Sequence, residues 1–171
     1  MSVPNFRPAK ACGAGKAAVE AFAAKFAQSV GYAPGDDLDP IVERLGGTIV
    51  YKGFADLGDS ADASVRVWET GKFEIVLPDY TSLARDRFSI AHEIGHYVLH
   101  YPLVKEPMVA ARYGSTPVEW EANWFAAGFL MPEKAFRKHH AAGKSVAELA
   151  RLFKVSNAAV MARARALRLA S

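Results

Sequence analysis

The segment His92-Glu93-Ile94-Gly95-His96 sets two histidines four residues apart with a glutamate directly after the first. On an α-helix this spacing stacks the imidazoles one turn apart, so both can address a single ion, while Glu93 projects about 100° away, toward a water activated by that ion. Zinc takes four ligands and a catalytic site leaves one position for water, so a third protein ligand is required. Downstream, His100, His139, His140, Glu106, Glu119, Glu121 and Glu133 offer donors. His100 lies about 12 Å along the helix axis from His92, too far to share an ion with both histidines. An aromatic or hydrogen-bonding contact at the helix end is its expected role, and no glycine-mediated turn leads to a third histidine. An acid on the next helix is left. In Glu119-Trp120-Glu121-Ala122-Asn123-Trp124-Phe125-Ala126-Ala127, Glu121 shares a face with Phe125 and Gly128, the apolar side expected to pack on the histidine helix. Glu119 is rotated about 200° from it, so Glu121 is the expected third ligand.

Such a set serves hydrolysis. Zinc lowers the pKa of water from about 16 toward about 7, Glu93 takes the proton, and the resulting hydroxide attacks a carbonyl polarised by the same ion. Glu93 then returns the proton to the leaving amine. A donor to the developing oxyanion is also expected, from Tyr97, Tyr101, Tyr113, His100 or an arginine.

The elements that must hold these groups follow from periodicity. Ala18, Val19, Phe22, Phe26 and Val30 mark an amphipathic helix from Gly15 to Val30, and a short helix runs through Ile41, Val42 and Leu45 to Gly46-Gly47. Thr48-Ile49-Val50-Tyr51, Ser64 to Trp68 and Lys72 to Leu77 read as three strands of a small antiparallel sheet, the last two a hairpin. The motif helix spans about Ser82 to Tyr101 and stops at Pro102, and Leu103 to Thr116 reads as a loop, a candidate flap. Pro117 opens a helix to about Leu130, closed by Met131-Pro132. Two more helices begin near Ser145 and Ser156. There is no internal repeat or low-complexity linker.

At 171 residues with 51% hydrophobic and 23% charged residues, the chain has the composition of one globular core, which excludes global disorder. No apolar run approaches the ~20 residues that cross a bilayer, and the start Met-Ser-Val-Pro-Asn lacks a signal-peptide layout, so a cytoplasmic protein is expected. The single cysteine, Cys12, excludes an internal disulfide framework and any multi-cysteine zinc site. The net charge of +3 conceals an asymmetry: residues 1–133 carry 12 Lys/Arg against 17 Asp/Glu, and residues 134–171 carry 9 against 1. A basic tail of this kind suits a solvated helical face or an acidic partner such as nucleic acid.

Two blocks in this order resemble the ImmA/IrrE-like metallopeptidases. Arg87-Phe88-Ser89-Ile90-Ala91-His92-Glu93-Ile94-Gly95-His96-Tyr97-Val98-Leu99-His100 is similar to the family's Arg-Phe-(Ser/Thr)-x-Ala-His-Glu-x-Gly-His helix. Glu121-Ala122-Asn123-Trp124-Phe125-Ala126-Ala127 and Leu130-Met131-Pro132 are similar to its Glu-Ala-(Asn/Asp)-x-Phe-Ala-Ala segment and closing Leu-Met-Pro. The resemblance implies Zn²⁺ held by His92, His96 and Glu121, with Glu93 as acid/base. It also implies cleavage of a helix-turn-helix repressor in transcription or stress regulation. The expected fold is α+β: a mostly helical, zincin-like peptidase core over 1–133 with a three-stranded antiparallel sheet. A basic helix-turn-helix-like region, 134–171, packs on the same body.

The competing expectation is a DNA-binding regulator that reads sequence through residues 145–168 and keeps a structural or vestigial zinc site. Two departures weigh against it: Lys154 stands at the turn position usually held by Gly, and Arg163 where the second helix normally buries an apolar residue. A third expectation, a catalytically idle scaffold that retains zinc, is opposed by the intact set His92, Glu93, His96 and Glu121.

Overall fold

A computed structural model of the chain describes residues 5–53, 64–110 and 114–169. Its centre is a pair of helices, α3 (Leu83–Leu99) and α5 (Pro117–Leu130), packed along each other. Ser82 caps α3, its hydroxyl accepting from the Arg85 N–H, and Pro117 opens α5 where a missing N–H costs nothing. Gly95 lets the two axes approach: a Cβ there would lie 3.1 Å from Phe125. The opposite side of α5 is covered by α1 (Lys16–Ser29), and the approach is closer still, since a Cβ on Gly128 would sit 2.8 Å from the Glu20 Cα. Small residues Ala23 and Ala27 line α1 at this contact, and Phe26, Tyr32, Phe125 and Phe129 stack beside it. Thus α5 is buried between two helices rather than on one face.

Beyond α3 lies a sheet of five strands rather than the expected three: β1 (Arg7–Pro8), β2 (Gly47–Lys52), β3 (Val65–Val67), β4 (Phe73–Pro78) and β5 (Met108–Ala110). The order is β1-β5-β3-β4-β2, and the sheet is mixed. The hairpin β3–β4 is antiparallel as expected, but β2 pairs with β4 in parallel, Ile49 opposite Ile75. The physical reason is the run Ile75-Val76-Leu77: all three are buried, the signature of a central strand covered on both faces, so β4 sits between β2 and β3. The stretch expected as loop after α3 holds a further turn, α4 (Tyr101–Val104), and then β5, which pairs with β1 and β3. Residues 111–113 of the candidate flap lie outside the described residues. A short helix, α2 (Asp39–Arg44), precedes β2.

The C-terminal part holds three helices, one more than expected: α6 (Glu133–Ala141), α7 (Val146–Phe153) and α8 (Asn157–Ala166). Ser145 and Glu148 form a reciprocal capping box on α7, and Ser156 caps α8. Leu149, Phe153, Val160 and Leu167 are buried, while Val146 is exposed. Arg163 is 3% exposed; its guanidinium lies 2.8 Å from Glu20 Oε2 of α1 and donates to the Met131 carbonyl at 3.0 Å. Asn157, Met161 and Arg165 lie on the exposed side of α8. Among the described residues no helix is long and apolar enough to cross a membrane.

Candidate metal centre

His92, Glu93 and His96 project from the middle of α3, each placing a ligating atom within 4.8 Å of the others. The two imidazoles meet through Nε2, 3.0 Å apart, with rings at 77°. The acid that joins them is Glu119, not Glu121: its Oε2 lies 3.1 Å from His92 Nε2 and its Oε1 3.3 Å from His96 Nε2. Donors about 2.0–2.1 Å from a tetrahedral zinc are about 3.3–3.4 Å from one another. The two nitrogens 3.0 Å apart, each with a different oxygen of one carboxylate beside it at 3.1 and 3.3 Å, are donors of the kind and spacing that suit one such ion.

Glu121 is placed elsewhere. Its Oε2 accepts from the Cys12 N–H at 2.8 Å and lies 2.9 Å from His100 Nε2, and its Oε1 accepts from the Gly13 N–H at 2.7 Å. The expectation that it faces His92 and His96 took Phe125 and Gly128 as one packing face. Phe125 does meet α3, at Gly95, but Gly128 meets α1. A helix covered on two sides has no single inward face, so both Glu119 (5% exposed) and Glu121 (2%) are buried despite the rotation between them. The signal that identifies Glu119 is its spacing from Asn123: the two are one turn apart, and Asn123 Oδ1 lies 2.9 Å from His92 Nδ1.

That contact fixes the tautomer. An amide oxygen accepts, so His92 carries a proton on Nδ1 and its Nε2 answers to Glu119. A carboxylate at this distance needs a proton or a cation on the imidazole side. Burial alone would lower the basicity of His92, but the Glu119 hydrogen bond and the charges of Glu93 and Glu119 outweigh it and raise its pKa. Burial likewise pushes the Glu119 carboxyl up, and its contacts with His92 and His96 reverse this, holding it at about 2. Burial and His96 take His100 down to about 4, so it is neutral near pH 7. The carboxyl of Glu121 is opposed by burial but lowered overall by the Cys12 N–H, His100 and the Gly13 N–H.

His92, Glu93 and Asn123 line a cleft of about 350 Å³ between α3 and β4. Its walls are Val76, Leu77, Pro78 and Phe88, with Thr81, Arg85 and Ser89 supplying polar groups. Glu93 is 4% exposed and its Oε2 has no hydrogen-bond partner among the described residues. Of the expected oxyanion donors, Tyr97, Tyr101 and His100 do not line this cleft. Tyr97 stacks on Phe73 and Tyr101, the Tyr101 hydroxyl donates to the Trp68 and Glu69 carbonyls of the hairpin, and His100 is occupied by His96 and Glu121. Tyr113 lies outside the described residues. Among the described residues Arg85 is the arginine that lines the cleft.

The fold is similar to that of a solved Mycobacterium tuberculosis transcriptional regulator, with a TM-score of 0.58 and 20% sequence identity. The match covers 85% of this chain and 46% of that one, so this chain spans less than half the length of its structural relative. No curated protein matches its sequence significantly. The family model for the IrrE N-terminal-like domain, a peptidase family, matches residues 43–165, a span that takes in the motif helix, both glutamates of α5 and the helices beyond. The chain belongs to that family of peptidases.

Proposed function

We propose that this chain is a zinc-dependent endopeptidase in which His92 Nε2, His96 Nε2 and the Glu119 carboxylate hold the ion and Glu93 carries the proton. The observation that carries this reading is the pair of imidazole nitrogens 3.0 Å apart, each with an oxygen of the Glu119 carboxylate beside it, next to a Glu93 oxygen that has no hydrogen-bond partner among the described residues, in the cleft that His92 and Glu93 line. A bound zinc would supply Lewis acidity toward a peptide carbonyl and toward water. Asn123 holds the His92 ring in the tautomer that leaves Nε2 free. Glu93 accepts a proton from the attacking water and delivers it to the departing amine, a role suited to a carboxylate whose Oε2 is not committed elsewhere. The apolar wall Val76-Leu77-Pro78 with Phe88 receives an apolar side chain next to the scissile bond, and Arg85 is the residue placed to meet charge there.

Residues 134–171 are read as part of the peptidase body. The buried Arg163–Glu20 pair, the bond from Arg163 to the Met131 carbonyl and the Lys154–Asp37 contact support this. The exposed row Asn157, Met161 and Arg165 suits the surface of a regulator, but Arg163 is turned inward, which removes a cation from any groove-reading face. The protein substrate implied by the family resemblance is a helix-turn-helix repressor, and the cytoplasm is its setting.

Glu93→Gln tests the chemistry. The variant is expected to keep one zinc per chain by elemental analysis while hydrolysis of a helix-turn-helix repressor cleaved by the wild-type protein falls by about 10²–10⁴-fold. Turnover at the wild-type rate would sink the role of Glu93, and absence of zinc from the reconstituted wild-type protein would sink the metal centre.

A further inference from the structure

We propose that Glu121 and His100 form a relay that sets the tautomer of His96, and that the backbone N–H groups of Cys12 and Gly13 fix the start of this relay. The inference rests on the metal reading of His96 only for its consequence, not for its geometry.

Proton counting carries it. An ionised carboxylate only accepts, so each group facing Glu121 must donate. The Cys12 and Gly13 N–H groups do so at 2.8 and 2.7 Å, and His100 Nε2, at 2.9 Å, must therefore bear a hydrogen. Neutral imidazole has one N–H, which leaves His100 Nδ1 as an acceptor. His96 Nδ1 lies 3.0 Å from it and can only donate. His96 thus carries a proton on Nδ1, and in the neutral ring its Nε2, the atom facing His92 and Glu119, presents a lone pair. Each of the three residues is at most 2% exposed, so water has little access with which to satisfy a different arrangement.

The two histidines of the motif are therefore oriented by different devices. His92 rests on one amide, Asn123, whereas His96 rests on a chain of two side chains that ends on the backbone of another segment. That segment joins β1 to α1, so the N-terminal strand and the site share an anchor. His100 and Glu121 are positioning residues: they act on the ion through His96. Partners of this kind are worth about 10–100-fold in metal affinity.

The test uses two readouts. In long-range ¹H–¹⁵N spectra of the metal-free, histidine-labelled full chain, His100 is expected as the Nε2–H tautomer and His96 with its proton on Nδ1. In competition with a chromophoric chelator, His100→Leu is expected to bind Zn²⁺ about 10–100-fold more weakly. His100→Gln, whose amide offers an acceptor and a donor, is expected to recover most of that loss. His100 found as Nδ1–H, or a folded His100→Leu with zinc affinity within twofold of wild type, overturns the relay. If His100→Leu does not fold, the tautomer spectrum and the Gln variant still decide. A wild-type protein that takes no zinc defeats the metal reading alone, since the metal-free spectrum judges the relay separately.

Discussion

The α3–α5 layer and the α7–α8 pair both bury charge, and they do it in opposite ways. Between α3 and α5, His92, His96, Glu93 and Glu119 converge on one point, where two imidazole nitrogens lie 3.0 Å apart and a carboxylate oxygen stands unpartnered. In the C-terminal pair one buried cation, Arg163, meets a backbone carbonyl and Glu20 of α1, which also lies 3.9 Å from Lys16. Convergence of donors is costly unless something shared occupies their focus, whereas opposite charges set against each other fasten one element to another. The comparison thus separates a site from a fastener without reference to which residues belong to a motif.

The largest expected effect breaks the first region. Glu119→Ala removes a proposed ligand, so its loss of zinc affinity should exceed the 10–100-fold expected for a partner that acts through another residue. Glu121→Ala should fall within that smaller range. Chelator competition on both variants orders the two glutamates. Equal losses, or a larger one at Glu121, would return the third ligand to the position that the helical face suggested.

The second region breaks by stability rather than affinity. Truncating one partner of a buried ion pair costs about 3–5 kcal/mol, because the remaining charge stays buried and alone. Arg163→Ala should therefore shift the urea midpoint, toward the lower end of that range since the Glu20 side chain keeps 13% exposure and Lys16 remains 3.9 Å from it. Removing both charges together, Glu20→Leu with Arg163→Leu, should recover much of the loss, as apolar pairs replace buried ion pairs at little cost. Zinc affinity of the folded protein should stay within a factor of about three. A large drop would mean that the tail supports the site and is more than a fastener.

These contrasts also mark what was legible in the residues alone. The motif helix, its partner and both capped C-terminal helices follow from period and caps, because local signals agree with packing there. Sheet order was not legible, since β2 and β4 are joined by pairing across 25 residues and β1 and β5 are only two and three residues long. Apolar period alone does not reveal α6, although Glu133 in its first turn and Lys138, His139 and His140 in its last carry the charge pattern of a helix. At the site, the histidines and Glu93 come from one contiguous segment and needed only a helix. The third donor depends on how α5 rolls between two neighbours, which a face drawn for one neighbour misjudges. Arg163, an oddity for a recognition helix, finds its reason only when Glu20, 143 positions earlier, is brought against it.

The smallest expected effect lies in the turn between α7 and α8. Lys154 holds φ 50° and ψ 49°, a left-handed conformation that costs a residue with a Cβ about 1 kcal/mol and glycine almost nothing. The turn must bend there so that Val155 tucks in and Ser156 can cap α8. Against this gain, Lys154→Gly gives up the Lys154–Asp37 pair at 3.3 Å, whose side chains are 52% and 79% exposed. An ion pair in such contact with solvent contributes well under 1 kcal/mol. The substitution should therefore stabilise the protein by about 0.5 kcal/mol, read as a higher urea midpoint with an unchanged slope, and leave zinc affinity untouched. Lys154→Ala, which loses the pair but keeps the Cβ, should be slightly less stable than wild type. If glycine ranks below alanine, the left-handed turn is not what the chain adopts at this point, and the helix pair is joined in some other way.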